Sequence, residues 1–142
     1  MKTIKRPYTT ACDLELVPVE YINDFAVIQP HAFVSLGDGS YVIPIVPGSF
    51  APGVESEQTD SGLIYNVGHT FEVALTDPDS QELLSALSHR DLIAIYINEA
   101  GKRIVSGSPQ TPLKLTFSIV SGKYQCKLSG KQVYIEAYYS PF

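Results

Sequence analysis

The sequence predicts a mainly β protein: an antiparallel β-sandwich or a partly closed barrel of eight or nine strands, with one α-helix at about residues 78–89. Three observations predict this class. Apolar and polar residues alternate through most of Leu113–Tyr139, and apolar residues hold one phase over the thirteen residues from Leu63 to Leu75. Asp77-Pro78 then has the residue types of a helix start, and a stripe of leucines follows it.

The alternation in the last third of the chain also predicts a register. If Ser121-Gly122 and Gly130-Lys131 are two-residue turns, a three-stranded meander places Phe117, Cys126 and Ile135 in one row across its apolar face. The opposite face of this meander is expected to meet water; it comprises Lys114, Thr116, Gln125, Lys127, Tyr134 and Glu136.

The rest of the chain reads as one domain over residues 1–142, a length that can bury a core. Residues 1–10 are interpreted as a loose arm. Pro44 predicts that the second arm of a hairpin at 32–46 lies at a sheet edge or contains a bulge. The run Leu92–Ile97 is apolar on both faces, so we expect it to be a central strand or one covered by the helix.

Residues 47–61 interrupt the strand pattern with Pro-Gly pairs and an acidic, polar run. They predict a long, mobile loop that could reach a neighbouring subunit, and a polar hairpin arm is the alternative. The candidate assembly residues of this segment are Pro47, Gly48, Ser49, Phe50, Pro52, Gly53, Glu55, Glu57 and Asp60.

Composition limits the partners and the compartment. The formal net charge is −5 and no basic stripe occurs, which argues against sequence-specific nucleic-acid binding. No apolar run is long enough to span a membrane and no secretory signal is visible, so we expect synthesis in the cytoplasm. Cys12 and Cys126 both fall on apolar strand phases and are interpreted as reduced, buried thiols; a disulfide between them would fit a secreted protein instead.

No motif for catalysis, cofactor binding or metal binding is present. His31, His69 and His89 lack metal-ligand spacing, and His69 on the apolar phase of a long strand is typical of a hydrogen-bonded core or groove residue. The two SGK triplets lack the first glycine of a phosphate-binding loop and are interpreted as hairpin turns. We therefore expect no enzyme activity and no cofactor, although a site assembled from distant residues would leave no motif.

Residues 91–142 resemble part of a known group of proteins. The segments Ile95–Pro109 and Pro112–Leu115, followed by Gly122–Gln132 and the aromatic close Tyr138-Tyr139, are similar to small proteins encoded in prophage tail gene clusters of gut bacteria. The resemblance implies a tail-associated structural protein, related to the barrel-plus-helix fold of tail tubes, whose long loop contacts the next ring.

Two functional hypotheses follow. The first is a non-enzymatic phage or prophage virion protein that forms homo-oligomers or binds other virion proteins, and that would be found in the virion. The second is a β-sandwich module that recognises carbohydrate or protein through a tyrosine-rich edge formed by Tyr134, Tyr138 and Tyr139.

Overall fold

The computed structural model describes residues 14–37, 40–74 and 78–141. In chain order the strands are β1 (Leu14–Pro18), β2 (Ile22–Ile28), β3 (His31–Leu36), β4 (Tyr41–Ile43), β5 (Val54–Thr59), β6 (Gly62–Ala74), β7 (Leu92–Ile97), β8 (Arg103–Ser106), β9 (Lys114–Val120), β10 (Lys123–Gln132) and β11 (Ala137–Pro141). Helix α1 (Pro78–Leu87) lies between β6 and β7, and a single 3₁₀ turn (Val19–Tyr21) joins β1 to β2.

The strands form a seven-stranded sheet in the order β2-β3-β11-β8-β7-β1-β4 and a four-stranded sheet in the order β5-β6-β10-β9. All described ladders are antiparallel except that between β11 and β3. The sheets are also joined where Leu113, just before β9, exchanges two backbone hydrogen bonds with Leu92 of β7, at N–O distances of 3.0 and 2.8 Å.

The larger sheet is strongly coiled. β1 and β2 lie five strand positions apart, yet only Val19–Tyr21 connects them. In a flat sheet five positions would span roughly 24 Å, whereas this connection reaches at most about 15 Å. The β2–β3 end of the sheet must therefore curl over towards β1.

This curl produces two apolar cores. The first lies between the two sheets and α1, and includes Leu16, Phe71, Leu84, Tyr124 and Leu128. The second lies on the opposite face of the larger sheet, inside the curl. Its fully buried members are Val17, Ala32, Val34, Ile93, Ile95, Val105 and Ala137, and Phe25 and Val27 of β2 pack against them.

Several sequence predictions are confirmed. The described residues are mainly β, with two sandwiched sheets, one α-helix and no closed barrel, although they form eleven strands where eight or nine were predicted. The hairpin predicted at 32–46 is wrong, because β3 and β4 lie apart in the larger sheet and do not pair with each other. α1 ends at Leu87, two residues before the predicted end, and β7 is central, with its first four residues at most 2% exposed. Ser121 and Gly122 have φ angles of 53° and 76°, as a type I′ turn requires, and Phe117 pairs with Cys126 as predicted. The predicted helix cap Asp77, the arm 1–10 and Cys12 lie outside the described residues.

The second predicted turn, at Gly130-Lys131, is wrong. β10 continues through both residues to Gln132 and pairs with β6 over its whole length, so Cys126 faces Phe71 instead of Ile135. Gly130 is needed because a Cβ atom there would lie 2.9 Å from Leu113 and 3.0 Å from the carbonyl oxygen of Pro112. After Gln132 the chain crosses to the larger sheet, where Ala137 begins β11.

The long loop predicted at residues 47–61 is also corrected. Residues 54–59 form β5, which pairs with β6 from Val54↔Val67 to Thr59↔Gly62. Ala51 exchanges two backbone hydrogen bonds with Thr70, and Ile45 forms a bridge with Val73. The segment is thus paired along β6, and the polar hairpin arm is the interpretation that agrees with the structure.

Candidate functional site

The buried polar cluster around His69 is the first candidate site. His69 (β6) is 0% exposed, and its Nε2 atom lies 2.7 Å from Glu136 Oε2 and 3.0 Å from Ser106 Oγ. The Tyr96 hydroxyl donates a hydrogen bond of 2.6 Å to the other carboxylate oxygen of Glu136. Strands β6, β7 and β8 and the connection before β11 each supply one member, so the cluster ties the two sheets together.

Two residues of the segment 47–61, for which the sequence predicts a loop, complete this cluster. The Gly53 N–H donates a hydrogen bond of 3.0 Å to His69 Nδ1. Phe50, which is 7% exposed, packs its ring against Tyr96, His69 and Phe71, at centroid distances of 4.9, 5.6 and 6.4 Å. The candidate assembly residue Phe50 is therefore a core residue, and Gly53 is an internal hydrogen-bond donor.

The other candidate assembly residues are placed along the same edge. Pro47 and Gly48 form a turn, and the Ser49 hydroxyl accepts a hydrogen bond of 3.1 Å from the Glu72 amide. Pro52, Glu55, Glu57 and Asp60 are exposed, and Glu57 accepts a hydrogen bond of 2.9 Å from Asn66. The exposed members form an acidic sheet edge.

The hydrogen bond from Gly53 fixes the protonation of His69. A backbone N–H can only donate, so Nδ1 must be the unprotonated nitrogen and Nε2 must carry the proton that is donated to Glu136. A histidine that activates a serine needs an unprotonated nitrogen towards the hydroxyl. Here the nitrogen facing Ser106 is the protonated one, and both side chains are fully buried. The arrangement is a hydrogen-bonded structural network and does not form a nucleophile–base pair.

Electrostatics agree with an ionised Glu136 in this network. Burial by itself raises the pKa of Glu136, but hydrogen bonds from His69, Ser106 and Tyr96 together outweigh burial, and the pKa lies below its ordinary value of 4.5. Burial, and then the charge of Glu136, raise the pKa of Tyr96, so its hydroxyl stays protonated and remains a donor. Every polar atom at the centre of the cluster has a complementary neighbour.

The second candidate site is the tyrosine-rich edge predicted from Tyr134, Tyr138 and Tyr139. The structure does not place all three side chains on one surface. Tyr134 and Tyr138 are 57% and 44% exposed. Tyr139 is half-buried and packs against the second core, and the Arg103 guanidinium lies 4.3 Å from the centre of its ring. Because adjacent residues of a strand face opposite sides, Tyr138 and Tyr139 cannot contribute to one surface.

Tyr138 belongs to an exposed row across the larger sheet. It pairs with Ile104 of β8 and with His31 of β3, which in turn pairs with Ile28 of β2. Ile104 is covered by the smaller sheet, whereas His31 is exposed and Ile28 is 66% exposed. The same face of the larger sheet is therefore covered at Ile104, where it contributes to the first core, and exposed to solvent at His31 and Ile28.

The connection Val133–Glu136 lies next to the β2–β3 turn, close to the exposed His31 and Ile28. Glu136 points inward to His69, while Val133, Tyr134 and Ile135 are 62%, 57% and 51% exposed. The Ile135 carbonyl accepts a hydrogen bond of 3.5 Å from Gln29, in the β2–β3 turn, and Tyr138 donates its N–H to the Pro30 carbonyl in that turn. We call this region the turn surface; it comprises Ile28, His31, Val133, Tyr134, Ile135 and Tyr138.

Sequence reasoning identified part of these sites. It placed His69 on the apolar phase and expected hydrogen-bond partners, but it assigned Glu136 to a water-facing strand surface, and the structure corrects this assignment. Ser106 and Tyr96 carried no sequence signal of their own. A buried histidine needs polar neighbours, so His69 was the one available sign of a cluster.

Within the described residues, no group of three or more potential metal-ligating side chains occurs, and no helix has the length and apolarity needed to cross a membrane. Comparisons of the chain with protein families, with curated proteins and with solved structures find no match. The function is therefore inferred from the chain's own residues.

Proposed function

We propose that the protein is a non-enzymatic structural protein that self-associates, and that the turn surface is its contact region. The observation that carries this proposal is the clustering of exposed apolar side chains. Eight large hydrophobic residues are exposed in the described part of the chain, and five of them lie at the end of β2, on β11 or in the connection that leads into β11; these are Ile28, Val133, Tyr134, Ile135 and Tyr138.

The size of the patch supports a binding role. Five such side chains, each about half exposed, present on the order of 500 Å² of largely apolar area. Apolar patches of this size on soluble proteins commonly mark interaction sites. Two copies facing each other would bury roughly 1,000 Å², which is the lower limit of a specific interface and predicts weak, concentration-dependent association.

The buried cluster supports the non-enzymatic part of the proposal. Ser106 and His69 are both 0% exposed, and Nε2 of His69 holds its proton against Glu136. A substrate would have no route to the hydroxyl, and the histidine would have no free nitrogen with which to activate it. The cluster instead anchors the Val133–Glu136 connection, and with it three exposed residues of the turn surface.

The narrower form of the proposal is a virion protein of a phage or prophage tail. It is supported by the resemblance of residues 91–142 described above, and β7 to β11 comprise this region. Because residues 47–61 are paired along β6, we assign the contact with a neighbouring subunit to the turn surface instead of to this segment. Neighbouring portal, terminase and tape-measure genes would support this form of the proposal, and their absence would leave a self-associating protein of another system.

A binding module for carbohydrate or another protein is the second candidate. It is favoured by one observation, the exposure of Tyr134 and Tyr138 beside the exposed His31. Aromatic side chains with a polar tip are common in such sites. In this case the turn surface would bind a ligand while the protein itself remained monomeric.

Sedimentation velocity of Ile28→Ser and Ile119→Ser distinguishes the two candidates. Both residues are exposed isoleucines on edge strands, at 66% and 58% exposure, but only Ile28 belongs to the turn surface. We expect Ile28→Ser to weaken self-association at least tenfold and Ile119→Ser to leave it unchanged. Equal effects of the two changes, or a monomeric unmodified protein, would contradict the proposal and favour the binding module.

A further inference from the structure

The two sheets in the described part of the chain have four edges, which are protected to different degrees. An unpaired edge strand can pair with another chain unless charges, proline, a bulge or short length prevent it. β4 has three residues and is followed by Pro44, and β5 carries Glu55 and Glu57. β9 begins with a lysine, and the residue before it is already bonded to β7.

β2 is the exception among these edges. It has seven residues, pairs only with β3 among the described strands, and contains a single charged residue, Asp24. A bulge disturbs its start between Ile22 and Asp24, but from Asp24 to Ile28 its register with β3 is continuous. Phe25 and Val27 face the second core, so the other face of this stretch presents Ala26 and Ile28.

We propose that β2 pairs in antiparallel orientation with β2 of a second copy, with the two-fold axis at Ala26. This inference rests on the proposed self-association and names the element that mediates it. Ala26 then lies opposite Ala26 of the partner subunit, Phe25 lies opposite Val27 of the partner subunit, and Asp24 lies opposite Ile28 of the partner subunit. The two coiled sheets become one continuous sheet across the interface.

Charge and strand length select this register. Centred on Ala26, the pairing uses the whole regular stretch from the bulge to the turn. The two Asp24 carboxylates are then four residues apart along the strands, about 13 Å, which exceeds the screening length of roughly 8 Å at physiological salt. Centring on Phe25 would bring them to about 7 Å, and centring on Val27 would pair β2 with the β2–β3 turn.

A second copy is favoured over an unrelated peptide because this edge is complementary to itself. Both partners offer the same short apolar segment, Phe25–Ile28, and the small Ala26 side chain lets the backbones approach at the axis. The pairing covers Ile28, which is the most exposed large hydrophobic residue among those that the structure describes. Because an isologous contact closes on itself, it produces dimers; rings or tubes would need a second contact elsewhere on the turn surface.

A charge exchange at Ala26 tests the pairing. Ala26→Lys and Ala26→Glu each place like charges directly opposite, with Cβ atoms about 5 Å apart, so each variant alone should sediment as a monomer. An equimolar mixture should form a heterodimer at least as well as the unmodified protein. The same pair of changes at Thr116, exposed on the edge strand β9, is the control and should leave self-association unchanged.

A disulfide test avoids dependence on the charged variants being folded. With Cys12 replaced by serine, Ala26→Cys should form a covalent dimer on mild oxidation, because opposite Cα atoms at about 4.5–5.5 Å lie within disulfide range. Thr116→Cys should form no such dimer. If the unmodified protein associates but Ala26→Lys associates equally well, or the mixture stays monomeric, or no disulfide forms, the β2 pairing is wrong and self-association occurs elsewhere. If the unmodified protein never associates, the pairing and the proposed function both fail.

Discussion

Replacing Phe50 by alanine tests whether the segment before β5 belongs to the core. Phe50 is 7% exposed and its ring contacts three other aromatic rings, the nearest being Tyr96 at 4.9 Å between centroids. Removing a buried phenylalanine side chain costs about 3–5 kcal/mol. We expect a loss within this range, which corresponds to a decrease in Tm of roughly 10–17 °C for a domain of this size.

Urea unfolding followed by circular dichroism measures this loss, and Glu55→Ala is the control. Glu55 lies five residues later on the exposed edge strand β5, so its replacement should change the free energy of unfolding by less than about 0.5 kcal/mol. A loss below about 1 kcal/mol for Phe50→Ala would refute the placement of Phe50 between the sheets. It would restore the mobile loop that the sequence predicts at residues 47–61.

Two further predictions concern buried ionisable groups. Glu136→Gln should lower the free energy of unfolding at pH 7 by about 1–3 kcal/mol, because an amide cannot accept from both His69 and Tyr96. Since the folded state lowers the pKa of Glu136 below 4.5, the stability that Glu136 contributes is complete above that pH and is lost as the pH falls through the folded pKa. The stabilities of the two proteins should therefore converge at low pH. A constant difference down to about pH 2.5 would contradict an ionised Glu136. Burial raises the pKa of Cys126 to about 12, so this thiol should react with a disulfide reagent only after unfolding, and rapid reaction in the native protein would place it at the surface.

Local signals predicted the elements whose partners are close in sequence. Ser121-Gly122 fixed the β9–β10 register because two residues with positive φ close a hairpin of matched alternation. The helix start and the central β7 were also readable, since each depends on a short window of residue types.

Gly130 shows why the second turn could not be predicted. A glycine between two alternating segments is typical of a turn, but this one provides space for Leu113 and Pro112 near the end of a ten-residue strand. The deciding contact comes from a segment that precedes the glycine by seventeen residues and crosses between sheets. Composition near Gly130 contains no information about that crossing.

The sequence of residues 47–61 predicts a loop for a related reason. Their polar composition reflects an exposed edge strand, and polar edges resemble loops when the partner strand is not considered. β6 is long enough to pair with this segment as well as with β10. Likewise, the members of the His69 cluster come from three strands and a connection, and only the fold brings them together.

Sedimentation velocity of the unmodified protein over a hundredfold range of concentration tests the central claim most directly. If the turn surface and β2 mediate self-association, the mean mass should rise from the monomer value of 15.5 kDa towards twice that value as the concentration increases. The rise should depend little on salt, because the contact is apolar and bonded through the backbone. A mass that stays at 15.5 kDa at every concentration would contradict self-association.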